Sequence, residues 1–356
     1  STLRPVIPVR PDLRALEGYH SAQVDVPVRL NTNESPLPPP AAFSDAVAAE
    51  VSRVPWHRYP DRAATALCEA LADLHGVDPA QIFVANGSNE VLQTVLLAYA
   101  GPGRTVATFE PTYQMHAQIA RVTGATVVEG ERAADFTLDP AEVERVVREH
   151  EPHVVFLTSP NNPTGMIEPR ERVVQLLELA PGLVVVDEAY AQFADRTALD
   201  LLDEDRPLVV TRTFSKTWSM AAARLGYLIG PTWLVAALWE VVLPYHLDDV
   251  TQAAGRLALR YTDEMDARVA RLVSERERVV ARLANLPVRV WPSSANFVLF
   301  RPDGRSGDDV WQAMVDRSVL VRNCASWPRL TDCLRVTIGS PDENDRFLSA
   351  LEEALS

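Results

Sequence analysis

Two patterns of apolar residues alternate along most of the chain: short runs of consecutive β-branched residues, and longer stretches with an apolar residue every three or four positions. The first pattern is typical of strands buried on both faces, and the second of helices that pack against a sheet. The alternation therefore predicts an α/β domain with a mostly parallel sheet. Strands are predicted at residues 82–85, 105–109, 126–129, 154–157, 183–187 and 208–211, and helices at 88–100, 112–123 and 139–149.

The N-terminal part of the chain follows a different pattern. Residues 1–40 are rich in proline and lack sustained periodicity, so we expect an extended arm with little helix. Helical spacing then covers residues 41–54 and 64–75, and Gly76 is a suitable left-handed stop for the second helix. We place the start of a large domain at residue 41 and its end at residue 247.

The C-terminal part predicts a linking helix and a small α+β domain, which together form residues 248–356. A long helical pattern with many Arg and Glu residues covers 248–284 and corresponds to one helix or two. Beyond it, strands are predicted near 288–291, 296–300 and 334–338, and helices near 307–317 and 342–355.

Polar residues follow several predicted strands of the large domain. Asp187 ends one apolar run, Lys216 follows another, residues 157–165 form a polar turn after a third, and residues 86–89 open a helix. In open α/β sheets the carboxyl ends of the strands border the ligand crevice, so we expect these groups to converge there. Taken singly, each has a simpler role: a surface amine, a helix cap or a structural turn.

Together these groups suit the chemistry of pyridoxal 5'-phosphate. That cofactor needs a lysine for its aldehyde, an acidic partner for its ring nitrogen and a cup for its phosphate. Lys216, Asp187 and the turn Gly87-Ser88-Asn89 supply these groups, the last through backbone N–H groups at a helix N-terminus. The sequence thus predicts an enzyme that uses this cofactor.

Five motifs give the chain a resemblance to a known family. They are Asn-Gly-Ser-Asn-Glu (86–90), Pro-Thr-Tyr-Gln-Met (111–115), Ser-Pro-Asn-Asn-Pro-Thr-Gly (159–165), Asp-Glu-Ala-Tyr (187–190), and Thr-Phe-Ser-Lys (213–216) with Arg224 eight residues on. The chain resembles the fold-type I pyridoxal-phosphate aminotransferases and, among them, the histidinol-phosphate aminotransferases. The likeness runs in unbroken order from about residue 19 to residue 344. It implies a large domain with a mostly parallel seven-stranded sheet, a smaller α+β domain, and an N-terminal arm across the mouth of the active site.

The resemblance also implies roles for individual residues. Lys216 is the catalytic amine, Asp187 faces the ring nitrogen of the cofactor, and Tyr190 shares the phenolic oxygen with Asn162. Tyr113 stacks on the cofactor ring. The phosphate cup is completed by Thr213, Ser215 and Arg224 and, from the partner subunit of a homodimer, by Tyr59. The residues expected to bind substrate are Tyr19, Asn33, Arg322 and Arg335.

The implied reaction is transamination between L-histidinol phosphate and 2-oxoglutarate, which gives imidazole acetol phosphate and glutamate. Arg335 would hold the carboxylate of one substrate and the phosphate of the other, with help from Arg322 for the phosphate. Three alternatives stay open. They are an aminotransferase for aromatic amino acids such as phenylalanine, a pyridoxal-phosphate decarboxylase of a phosphorylated amino acid, and a regulatory domain that binds the cofactor without catalysis.

The composition limits the classes of molecule that the protein can be expected to bind. A net charge of -14 and a pI near 5.0 disfavour nucleic acid, and no run of about 18 apolar residues predicts a membrane span. The chain opens with no signal-peptide pattern, and its three cysteines form no C-x-x-C pair, so we expect a cytoplasmic protein without disulfides or zinc. The seven histidines lack metal-ligand spacing, and we expect no metal. Small molecules are therefore the expected partners.

Overall fold

The computed structural model describes residues 7–14, 16, 18 and 22–356. Within these residues, eleven α-helices and twelve strands form two sheets with their covering layers. The helices are α1 (Ala41–Val51), α2 (Thr65–His75), α3 (Gly87–Tyr99), α4 (Met115–Thr123), α5 (Pro140–His150), α6 (Arg170–Leu179), α7 (Thr232–Val241), α8 (Asp249–Ala258), α9 (Thr262–Leu283), α10 (Gly307–Asp316) and α11 (Pro341–Leu355). The strands are β1 (Val28–Leu30), β2 (Ile82–Ala85), β3 (Thr105–Glu110), β4 (Thr126–Glu131), β5 (Val154–Thr158), β6 (Leu183–Asp187), β7 (Leu208–Thr213), β8 (Gly226–Ile229), β9 (Val288–Val290), β10 (Phe297–Pro302), β11 (Val319–Asn323) and β12 (Leu334–Thr337).

The larger sheet has seven strands in the order β2-β8-β7-β6-β5-β3-β4. Strand β8 is antiparallel to both of its neighbours, and the other adjacent pairs are parallel. Apolar residues of α3, α4 and α7 pack on one face of the sheet, and those of α5 and α6 on the other. The predicted α/β fold with a mostly parallel seven-stranded sheet is confirmed, and its carboxyl edge is where β3, β5, β6 and β7 end in polar residues.

Several boundaries differ from the prediction for local reasons. Helix α1 ends at Val51, three residues early, because Pro55 disfavours a helical conformation of Val54. Helix α4 starts at Met115 after the turn that carries Tyr113, and the long C-terminal pattern divides at a 3₁₀ turn between α8 and α9. The sequence pattern did not predict the short strands β1, β8 and β11, nor helices α6 and α7. Gly76 does end α2 in the left-handed conformation, as predicted.

The smaller sheet has five strands in the order β1-β11-β12-β10-β9. Strand β1 comes from the N-terminal arm and pairs in parallel with β11, so that Val28 lies opposite Val319. The remaining pairs are antiparallel, and Arg322 on β11 lies opposite Arg335 on β12. The arm is thus an integral strand of the C-terminal sheet.

One apolar cluster connects the two sheets. It includes Leu67 of α2, Leu257 of α8, Phe297 of β10 and Phe347 of α11, all almost fully buried. Burial of this kind stabilises a domain by about 25 cal/mol per Å² of apolar surface, so the cluster favours a fixed arrangement of the two sheets. In the described part of the chain, no helix is both long enough and apolar enough to cross a membrane.

Candidate active site

The carboxyl edge of the large sheet opens into a cavity of about 270 Å³. The strand ends of β5, β6 and β7, the start of α3 and the segment after β1 all contribute to its wall. The predicted site residues that line it are Asn33, Ser88, Asn89, Tyr113, Asn162, Asp187, Tyr190, Thr213, Ser215, Lys216, Arg224 and Arg335. The convergence expected from the strand ends is therefore observed.

Lys216 lies in this cavity and is the only lysine of the whole chain. Its Nζ donates a hydrogen bond of 3.0 Å to the backbone oxygen of Thr32 and lies 6.0 Å from the centre of the Tyr190 ring. Burial lowers the pKa of the Lys216 amine to about 8, with further lowering by the charge of Arg335. A large share of this amine is thus uncharged, and therefore nucleophilic, at mildly alkaline pH.

Asp187 ends β6 on the floor of the cavity and is 3% exposed. Its Oδ2 atom accepts a hydrogen bond of 2.9 Å from His116 Nε2, because a carboxylate can only accept. Its Oδ1 atom accepts the backbone N–H of Ala189 at 3.1 Å. The His116 ring is fully buried and stacks on Phe156 with 4.4 Å between ring centres. This packing holds the carboxylate in one orientation.

A cup suited to a phosphate forms at the N-terminus of α3. The first N–H groups of a helix have no partner within it, and they carry a partial positive charge. Gly87 has a φ of 80°, and a Cβ on it would lie 2.6 Å from Arg224 Nη2. Arg224 Nη1 in turn donates to Ser215 Oγ at 3.4 Å. Helix end, guanidinium and hydroxyl therefore surround one small volume, which fits the phosphate of pyridoxal 5'-phosphate.

Arg335 closes the other side of the cavity and is 3% exposed. Its Nη1 atom donates to Asn162 Oδ1 at 2.5 Å, and its Nη2 atom donates to the backbone oxygen of Asn31 at 2.9 Å. Its guanidinium lies 5.1 Å from the centre of the Phe297 ring. Since both of these acceptors are neutral, the positive charge of the guanidinium can attract an anion.

A second network fixes Tyr190 and Asn33. Asn33 Nδ2 donates to the Tyr190 hydroxyl at 2.9 Å, and Asn33 Oδ1 accepts from Thr337 Oγ1 at 3.0 Å. Asn33 has a φ of 56°, a conformation that Asn tolerates better than most residues. Thr213, by contrast, is turned to the backbone: its hydroxyl accepts the N–H of Ser215 at 3.1 Å.

Three predicted residues lie elsewhere. Arg322 lines a neighbouring cavity and lies 5.5 Å from the Trp327 ring centre. Tyr59 is 79% exposed and stacks on Tyr245, outside the cavity. Tyr19 lies outside the described residues. Their roles stay predictions.

Sequence reasoning missed several groups that shape the site. His116 was one of seven scattered histidines, and nothing in its position along the chain indicated that it faces Asp187. Thr32 acts through its backbone oxygen, which no side-chain pattern reveals. Trp327 lines the cavity from the small domain. That Lys216 is the single lysine of the chain was the strongest indication of its role that the sequence offered and the prediction did not use. Among the described residues, no cluster of three His, Cys, Asp or Glu side chains could hold a metal ion.

Comparisons with known proteins agree with this geometry. The profile of the family Aminotransferase class I and II matches residues 26–351. A histidinol-phosphate aminotransferase of Frankia casuarinae is 46% identical, over 98% of this chain and 91% of its own. One from Thermobifida fusca is 47% identical, over 97% and 95%. The crystal structure of a histidinol-phosphate aminotransferase from Sinorhizobium meliloti with pyridoxal-5'-phosphate has a TM-score of 0.83 and 26% identity, over 93% of this chain and 91% of its own.

Proposed function

Because the chain belongs to the aminotransferase class I and II family, we propose that it transfers the amino group of L-histidinol phosphate to 2-oxoglutarate, with pyridoxal 5'-phosphate as cofactor. The products are imidazole acetol phosphate and glutamate, and the reaction serves histidine biosynthesis. The observation that carries the proposal is that Lys216, Asp187 and Arg335 line one cavity, in a chain 46–47% identical to relatives of that name. Substrates are therefore small anionic molecules.

Each residue has a task that follows from its contacts. The bound cofactor supplies an aldehyde that holds the amino group and a ring that accepts electrons from the substrate α-carbon. Asp187 keeps the ring nitrogen protonated, with His116 holding the carboxylate in place. Asn162 and Tyr190 orient the ring, Tyr113 covers it, and Arg224 with the N-terminus of α3 binds its phosphate.

Lys216 moves the proton. Its uncharged Nζ would remove the proton from the substrate α-carbon and deliver it two atoms away, to the carbon that derives from the cofactor aldehyde. The lowered pKa suits this task, because a general base works best when its pKa lies near the working pH. The backbone oxygen of Thr32, which accepts a hydrogen bond from Nζ at 3.0 Å, orients the amine between the carbon that loses the proton and the carbon that receives it.

We expect capture of pyridoxal 5'-phosphate by the apoprotein to accelerate with rising pH and to be half-maximal near pH 8. Only the uncharged amine attacks an aldehyde, and the pKa of Lys216 is about 8. An ordinary lysine would give a midpoint near 10.4. Borohydride trapping followed by peptide mass spectrometry measures the rate at a unique side chain, since the chain has no other lysine. A midpoint near 10 would contradict the prediction.

Replacement of Arg335 by lysine is expected to raise the KM values for glutamate and histidinol phosphate by about 10- to 100-fold, with a smaller change in kcat. Lysine keeps the charge but loses the two-pronged contact with an anion, worth about 1.5–3 kcal/mol. Steady-state kinetics of both half-reactions measures the effect. Arg301→Lys on the neighbouring strand β10, outside the cavity, is the matched control. Unchanged KM values for both substrates would refute the role.

We further propose a homodimer in the cytoplasm. Tyr59 and Trp56 are 79% and 74% exposed, and Leu243 and Tyr245 are also exposed. Tyr59 stacks on Tyr245. Exposed aromatic groups of this kind are typical of contacts between subunits, and a second copy would bring Tyr59 to the phosphate cup of its partner. Sedimentation equilibrium tests this, and the mass of a single chain at micromolar concentration would contradict it.

The reaction itself is tested by a spectral titration of the purified holoenzyme. Stepwise addition of L-histidinol phosphate or L-glutamate is expected to convert the cofactor absorbance to that of its amino form. L-phenylalanine should be a much weaker donor. If phenylalanine is the best donor, the protein is an aromatic aminotransferase; if carbon dioxide is released from a phosphorylated amino acid, it is a decarboxylase.

A further inference from the structure

The small domain holds Asn33 in an unusual backbone conformation at the wall of the catalytic cavity. Asn33 follows β1, is 2% exposed and has a φ of 56°. Its backbone N–H donates to Thr337 Oγ1 at 2.9 Å, and its backbone oxygen accepts from Asn296 Nδ2 at 3.1 Å. Thr337 ends β12, and Asn296 directly precedes β10. Both backbone polar groups of Asn33 are therefore bonded to side chains of the small domain.

The Thr337 hydroxyl also fixes the side-chain amide of Asn33. A backbone N–H can only donate, so Thr337 Oγ1 accepts from it and gives its own hydrogen to Asn33 Oδ1 at 3.0 Å. Thr337 is 3% exposed, and within the part of the chain that the structure describes its hydroxyl has no other acceptor. An amide rotated by 180° would leave this hydrogen buried without an acceptor, which is costly. The amide oxygen is thus held toward Thr337, and the NH₂ group is held toward the cavity.

This orientation decides what the Tyr190 hydroxyl can do. Its oxygen accepts from Asn33 Nδ2 at 2.9 Å, and an NH₂ group cannot accept in return, so the Tyr190 hydrogen points away from Asn33. Because hydrogen bonds in a chain polarise one another, donation by the amide makes the Tyr190 O–H a stronger donor. Phe297 packs edge-on against the Tyr190 ring, with 5.0 Å between ring centres. Phe297 is the strand partner of Thr337, so one strand pair places both supports of Tyr190.

We propose that Thr337 is a positioning residue of the reaction: by fixing the amide of Asn33, it directs the hydrogen of the Tyr190 hydroxyl to the phenolic oxygen of the bound cofactor. The inference rests on the proposed function for the cofactor and extends it to a residue that is not among those lining the catalytic cavity. Donation to the phenolic oxygen draws negative charge from it. This lowers the affinity for a proton of the nitrogen that joins Lys216 to the cofactor.

The test is a pH titration of the absorbance of the bound cofactor, which requires no substrate. Thr337→Val keeps the shape of the side chain but has no hydroxyl, so the amide of Asn33 loses its fixed orientation. The midpoint of the titration should rise by about one pH unit, because donation to a charged oxygen is weakened. Thr337→Ser keeps the hydroxyl and should restore the wild-type midpoint. Thr251→Val is the matched control, since Thr251 is also buried and its hydroxyl bonds to Asp248 at 2.8 Å, in α8 outside the cavity.

The Tyr190→Phe background separates this role from a general loosening of the site. Without a Tyr190 hydroxyl to direct, the addition of Thr337→Val should shift the midpoint no further. The charged groups that act on Lys216 are the same in every one of these variants; they are Arg335, Glu34 and Arg224. In Thr337→Val alone, kcat of both half-reactions should fall by one common factor of up to about tenfold with unchanged KM, because the effect acts on the cofactor and not on either substrate.

An unchanged midpoint in Thr337→Val, or an equal rise with and without the Tyr190 hydroxyl, would overturn the proposal. If Thr337→Val does not fold, Asn33→Gly decides by the same titration, since glycine tolerates the φ of 56° and removes the amide. Its midpoint should rise as well, and a wild-type value would count against the proposal. A wild-type enzyme that shows the expected midpoints but does not accept histidinol phosphate would refute the proposed substrate alone. A protein that binds no pyridoxal 5'-phosphate would refute both.

Discussion

The Lys216→Ala variant is expected to lose transamination by on the order of 10⁴-fold in kcat, because it lacks the amine that is placed to move the α-proton. Lys216→Arg should be equally inactive, since a guanidinium keeps its proton at any working pH. Single-turnover absorbance changes with glutamate measure the loss. Phosphate binding by Arg224 and α3 does not involve Lys216, so both variants should still bind the cofactor.

Stability gives an independent check on the same variant. The Lys216 ammonium lies near Arg335 and Arg224, and both lower its pKa. Removal of a cation from this positively charged cavity should therefore leave the free energy of unfolding of the apoprotein unchanged or raise it, as measured by urea titration. Activity above about one hundredth of wild type, or a clear loss of stability, would contradict the assignment of Lys216.

Asp187→Asn is expected to reduce kcat by about 10²- to 10³-fold, the usual cost of removing one aligned electrostatic partner. The amide has nearly the same shape and can still accept the N–H of Ala189, so the fold should be retained. It cannot hold a proton on the ring nitrogen, and electron withdrawal from the substrate α-carbon is weakened. Rapid-mixing kinetics of each half-reaction measures the effect, with near-UV circular dichroism as the structural control.

His116 provides the comparison for Asp187. His116→Phe keeps a flat ring against Phe156 but removes the donor to Asp187 Oδ2. We expect a loss smaller than that of Asp187→Asn, because the carboxylate itself remains. An Asp187→Asn enzyme with wild-type kcat would show that the carboxylate has no electronic role.

The sequence predicted the residues of the site better than their contacts. Lys216, Asp187 and Asn162 follow strands of a parallel sheet, and strand order in such a sheet brings their ends to a single edge. The partner of Asp187 could not be predicted in this way, since His116 lies on a different element and its direction depends on how α4 is rotated. Glu110, the last residue of β3, lay one residue beyond the strand predicted at 105–109, and nothing in the pattern showed that its carboxylate would be buried.

The secondary structure was likewise predicted in some parts and missed in others. Long apolar runs such as those of β5 and β6 were located within one residue of their ends. Strand β8 was missed because four residues with a glycine carry little signal, and β1 because the arm shows no alternation over three residues. Both are stabilised by neighbours that are distant in sequence, and such pairing is set by tertiary structure. That the chain has a single lysine, in contrast, can be read directly from the sequence without any knowledge of tertiary structure.

The pairing of β1 with β11 has a consequence for the order in which the protein is assembled during synthesis. Asn33 bonds to Thr337, 304 positions away, so one wall of the catalytic cavity forms only when nearly the whole chain has left the ribosome. The large sheet is built from more local contacts and can fold earlier, since domains form as units during translation. Until the C-terminal strands arrive, the arm lacks its partner strand and the lysine lacks its acceptor at Thr32 in its final position. A nascent chain therefore gains its complete catalytic cavity last.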